Sequence, residues 1–124
     1  MKAIFKIIPI EIYGTELVVS IGQTDDEIFD ECKKRWEWDK YGDTVISVVS
    51  GQNLATFSSS SKMLIIRFKE RKPKDGLIAH ESFHVAFRIL NSIGINLSYE
   101  TEEAYAYLLD YIVNKIKEQE QLNK

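Results

Sequence analysis

The spacing of apolar residues changes character along this chain. From Lys2 to Tyr13 isoleucine and phenylalanine crowd a short segment that reads as a strand. Gly14-Thr15 marks a turn, and Glu16 to Ile21 (ELVVSI) reads as the hairpin partner. Thr24-Asp25-Asp26-Glu27 then forms a capping box, in which the threonine and the glutamate satisfy each other's orphan backbone donors. A helix is expected to follow, with Ile28, Cys32 and Trp36 four apart on its buried stripe, stopping near Tyr41-Gly42. Thr44 to Val49 reads as a third strand and Asn53 to Phe57 as a short fourth. The serine run Ser58 to Ser61 makes a turn into the strand Met63 to Phe68 (MLIIRF).

Beyond Pro73 the period lengthens to that of a helix. One is expected from Asp75-Gly76 to about Ser92, ending at Gly94. A turn at Asn96 to Ser98 leads into a last helix from about Tyr99 to Lys117, on which Tyr105, Leu108, Leu109, Ile112 and Ile116 keep the helical period. Strands with one helix come first and two long helices last. That order predicts an α+β fold: a small twisted sheet packed on helices, one domain over residues 1–124.

Composition narrows the function classes. A formal charge of -3 argues against nucleic acid, which demands a basic patch. Basic residues sit in short mixed runs, Lys33-Lys34-Arg35 and Lys69-Glu70-Arg71-Lys72, which read as solvated element ends. The opening MKAIFKIIPIEIYG imitates a signal peptide, but Lys6, Pro9 and Glu11 break the apolar run and no small-residue cleavage site follows. Nowhere do about eighteen apolar residues run together, so no membrane span is expected and a cytoplasmic location is the default. The single cysteine, Cys32, has no internal disulfide partner and implies a reducing compartment. Its helical position suggests a buried structural thiol, although the neighbouring Lys33, Lys34 and Arg35 are of the kind that lowers a thiol pKa.

The candidate chemistry lies in LIAHESFHVAF, residues 77–87. His80 and His84 stand four apart, so on a helix they share a face and can offer imidazole nitrogens to one zinc ion at about 2.0–2.1 Å. Glu81 lies about 100° round the helix from His80, beside the ion and not forced to coordinate it. From there it can take a proton from a zinc-bound water, whose pKa the ion brings to about 7. The motif uses both histidines of the chain, falls on an independently helical segment, and is flanked by Leu77-Ile78-Ala79 and Val85-Ala86-Phe87. Those flanks predict a helix apolar on nearly every side and therefore buried, where two histidines and a carboxylate need partners. The plainer reading is a pair of hydrogen-bonded core histidines.

A catalytic zinc takes three protein ligands and keeps one position open. No third histidine exists, and Cys32 is on another helix, so a carboxylate of the last helix is expected. Glu100, Glu102 and Glu103 crowd its first turn, a placement that the helix macrodipole alone also favours. Glu103 shares a stripe with Ala106, Tyr107 and Asp110, semi-polar and with a small residue that suits close approach to a metal. Glu102 aligns with Tyr105 and Leu109, nearer the apolar stripe. Glu103 is the expected ligand, with Glu102 in reserve.

HESFH followed by TEEAYAY resembles the gluzincins, zinc peptidases with two histidines and the base on one helix and a glutamate ligand on the next. The likeness covers roughly residues 60–117 and is closest to minimal single-domain zincins and the zincin-like proteins of phages and bacterial mobile elements. It implies zinc on His80, His84 and Glu103, Glu81 as general base and acid, and a peptide or protein substrate. It also implies that Met63 to Phe68, the strand before the active helix, is the edge that pairs with an extended substrate. Tyr107, sharing the face of Glu103, is the candidate transition-state stabiliser. The second lobe of larger gluzincins has no room here, so the alternative is a catalytically inactive zincin-like module that binds zinc and acts through protein contacts.

Overall fold

The computed structural model describes residues 3–35, 54–58 and 63–122, the 54–58 segment by its backbone. Within them the architecture is α+β. Strand β1 (Ile4–Ile10) runs through a 3-10 turn (Glu11–Tyr13) into β2 (Thr15–Ile21), which is followed by helix α1 (Asp25–Arg35). Strands β3 (Leu54–Ser58) and β4 (Met63–Phe68) precede helices α2 (Asp75–Ser92) and α3 (Glu102–Leu122). The sheet order is β1-β2-β4-β3, with β2 and β4 parallel and both outer pairs antiparallel. The helix expected on to Tyr41, the strand Thr44 to Val49 and the Ser59–Ser61 part of the serine turn lie outside the described residues.

Alternation along the strands divides the sheet into two faces. Ile4 and Ile8 of β1, Leu17, Val19 and Ile21 of β2, and Leu64, Ile66 and Phe68 of β4 join the buried stripes of α2 and α3 in one core. The opposite face carries Val18 beside Ile65 and Ser20 beside Arg67. Helix α1 lies on this second side: Asp25 pairs with Arg67 at 2.6 Å, and the Arg35 guanidinium sits 5.3 Å over the Phe5 ring. The central strands are buried on both faces, which is why ELVVSI and MLIIRF read as nearly unbroken apolar runs.

Local chemistry sets most boundaries. The capping box forms as expected: the Glu27 amide donates to Thr24 Oγ1 (3.1 Å) and the Thr24 amide to Glu27 Oε1 (2.9 Å). Those bonds hold the Glu27 carboxyl below its ordinary pKa. Helix α2 ends where Gly94 adopts a left-handed φ of +85°. The last helix begins three residues later than expected because Thr101 organises the loop before it, its hydroxyl donating to the Asn96 carbonyl (2.6 Å) and accepting from the Ser98 amide (2.8 Å). It also runs five residues further, continuing its buried positions Ile112 and Ile116 to Glu120.

The sheet order corrects one expectation directly. Met63 to Phe68 is not an edge: β4 is paired with β2 on one side and β3 on the other, so its backbone donors and acceptors are engaged. The strand at that margin of the sheet is β3, which packs against α2. No described helix is long and apolar enough to cross a membrane.

Candidate metal centre on helix α2

Helix α2 presents two apolar stripes, and the core covers only one. Ile78, Ser82, Val85, Ala86, Ile89 and Leu90 face the sheet and α3. The other stripe, His80, Phe83, His84 and Phe87, faces out, and both phenylalanines are 38% exposed. The expectation of a helix buried all round is therefore wrong. A small sheet cannot wrap a helix, so the histidines meet solvent and need no buried partner. His80 is 65% exposed over its side chain.

His80 and His84 do share one face of α2. The two imidazoles lie side by side, ring centroids 5.0 Å apart and planes nearly perpendicular at 76°. Glu81 sits at the seam between the stripes, only 7% exposed, and its Oε2 is 4.0 Å from His80 Nε2. Two adjacent exposed imidazoles suit a zinc ion's demand for nitrogen donors, and Glu81 is the carboxylate beside them.

The expected third donor is elsewhere. Asp75 on α2 bonds Lys117 on α3 (2.7 Å), and twelve residues further along α2 Phe87 meets Tyr105, twelve residues back along α3 (ring centroids 6.3 Å). In that antiparallel register position 84 lies level with 108, whereas positions 103 and 102 lie level with 89 and 90. At 1.5 Å rise per residue, Glu103 and Glu102 stand roughly 8 Å beyond His84 along the helix. The stripe of Glu103, Ala106, Tyr107 and Asp110 is exposed throughout, turned from the core. Among the described residues no three His, Cys, Asp or Glu side chains gather closely enough to hold a metal ion. Tyr107 is 71% exposed and lines a cavity of about 500 Å³ with Pro9, Ile12, Tyr13 and Tyr111. None of those residues lines the cavity beside His84.

Cys32 is buried on α1, as its helical position implied. Burial pushes its thiol up to about 11, Glu31 adds to the rise, and Arg35 offsets only part of it. The neighbouring basic residues therefore do not make it a nucleophile.

The motif alone did not single out what surrounds His84. A cavity of about 420 Å³ is lined by His84, Phe87, Arg88, Asn91 and Ser92. These are the positions three, four, seven and eight beyond His84, the residues a helix stacks on one face. The signal was present as spacing, but the polar members read as ordinary solvated surface. No protein-family model matches the chain, and neither does any curated protein or solved structure with which it was compared.

Proposed function

We propose that the chain is a zinc-dependent metallopeptidase of the gluzincin type, with His80 and His84 as metal ligands and Glu81 as the general base. The observation that supports this reading is the pairing of two adjacent imidazoles with a largely buried carboxylate 4.0 Å from one of them. When bound, zinc supplies Lewis-acid activation of water and of the scissile carbonyl. Glu81 accepts a proton from the attacking water as its oxygen bonds to the carbonyl carbon. The same carboxyl returns that proton to the amine nitrogen as the C–N bond breaks, leaving a new carboxylate and a free amine. Its partial burial leaves little water to compete for that proton.

The test is metal analysis and peptide cleavage on three variants. His80→Ala should lose zinc, whereas Glu81→Gln should keep zinc and lose cleavage. Glu103→Ala discriminates the third ligand: unchanged zinc affinity means that the helix register described above persists with metal bound, and weakened affinity means that Glu103 closes on the ion. Absence of stoichiometric zinc under non-chelating conditions would sink the proposal.

The second reading, a zinc-binding module without catalysis, is favoured by one observation: both imidazoles face open solvent, with no third donor gathered among the described residues. It predicts that zinc raises the melting temperature while Glu81→Gln leaves biological function intact. Cleavage that depends on Glu81 would exclude it.

A further inference from the structure

We infer that Arg88 is an anchor for the C-terminal carboxylate of a peptide, making the substrate of this site a free chain end; this rests on the peptidase reading above. Arg88 lines the same cavity as His84, together with Asn91. It is exposed and engages no ion pair or hydrogen bond among the described residues, whereas Arg35 and Lys117 do. Its guanidinium is thus a fork of donors with nothing to bind, which is the geometry that matches a carboxylate in two parallel bonds.

Position on the helix gives that cation a direction. Arg88 is seven residues beyond Glu81, within about 20° of the same line along α2. Side chains on a helix lean toward its N-terminus, so Arg88 covers the surface over His84 and not the surface beyond itself. The rise from Glu81 to Arg88 is about 10 Å. An extended residue spans about 3.5 Å, so one or two residues plus the reach of an arginine cover the distance. A scissile bond beside Glu81 and the histidine pair therefore places the chain's terminal carboxylate at Arg88 when one or two residues follow that bond. Phe87 walls the intervening space with an apolar ring, and Asn91 adds a neutral donor one turn on. An internal stretch of a protein substrate offers no carboxylate at that point unless an acidic side chain supplies one.

The experiment measures binding, in the Glu81→Gln protein so that nothing is cleaved, with and without zinc. Three short peptides of one sequence are compared by titration calorimetry: the free acid, the C-terminal amide, and an amide ending in glutamate. The free acid should bind about two- to fivefold more tightly than the plain amide, the effect of one solvent-exposed ion pair. Arg88→Gln should erase that preference, with zinc content and melting temperature unchanged. Equal affinity for acid and amide overturns the inference, and so does a preference that survives Arg88→Gln. Equal binding of the free acid and the glutamate-ending amide also overturns it, since the anchor would then read a side chain. Failure to bind zinc would defeat the peptidase reading whichever peptide is preferred.

Discussion

The two faces of the sheet are built on different principles. Toward α2 and α3 the contact is dry and continuous: Leu17, Val19, Leu64, Ile66 and Phe68 meet Ile78, Val85, Leu90, Leu108 and Ile112 with no charged group among them. Toward α1 the corresponding layer contains a buried arginine. Arg67 is held by Asp25 (2.6 Å) and by the Gln23 carbonyl (3.0 Å), and Ser20 in turn donates to Gln23 Oε1 (2.7 Å). The dry face gets its stability from area removed from water, which is tolerant of detail. The polar face depends on direction, because a buried charge is costly unless its partners are in place. The motif helix is carried on the dry face, so the candidate chemistry rests on the sturdier half of the molecule.

That contrast can be broken in graded steps. The largest effect is expected on the dry face: Ile66→Ala should cost about 2–5 kcal/mol in denaturant unfolding, from lost transfer energy and the cavity left behind. On the polar face Asp25→Ala should cost about 1.5–3 kcal/mol, because Arg67 stays buried and loses its carboxylate. Arg67→Met, which removes the charge as well, should cost less than removing Asp25 alone; a larger loss would show that the polar network holds this face together. Thr24→Ala removes the capping box and should cost about 1 kcal/mol, with the loss confined to α1 in hydrogen exchange.

The smallest effect belongs to the clip between α2 and α3. The hydrogen bond and charge of Lys117 hold the Asp75 carboxyl below its ordinary value, and Asp75 raises Lys117. A lowered acid contributes stability above its unfolded pKa and loses it as pH falls; a raised lysine contributes below its unfolded pKa and loses it as pH rises. Both contributions are therefore present at neutral pH. Asp75→Asn should unfold slightly more easily than the parent at neutral pH, and the difference should vanish as the solution is acidified through the carboxylate range. Both partners are surface groups, so added salt should shrink it too.

The elements were legible wherever local chemistry decides them. Thr24 and Glu27 announce a helix start because they bond each other across three residues, a relation the chain carries without any tertiary partner. Asp75 to Ser92 could be bounded because Gly94 supplies the left-handed residue that ends a helix. The two imidazoles adjoin because four residues make about one turn. The expectations that failed concern what lies next to what. Burial of His80 and His84 was inferred from apolar neighbours, but Phe83 and Phe87 turn out with them because the sheet covers only one side of α2. The place of Met63 to Phe68 within the sheet depends on strand order, which a strand's own residues do not encode when both of its faces are buried.

By itself, then, the sequence determined the described strands and helices to within a few residues, the buried stripes of α1 and α3, and the geometry of His80, Glu81 and His84 within one helix. All of these are set by bonds and spacings over a few residues. Only the tertiary structure decided that the histidines face solvent and that Glu103 stands about a turn and a half beyond His84. That Arg88 shares a face with His84, by contrast, follows from the four-residue spacing within α2. The register of two antiparallel helices is set by the loop between them and by contacts such as Asp75–Lys117 and Phe87–Tyr105, and those join residues far apart in the chain.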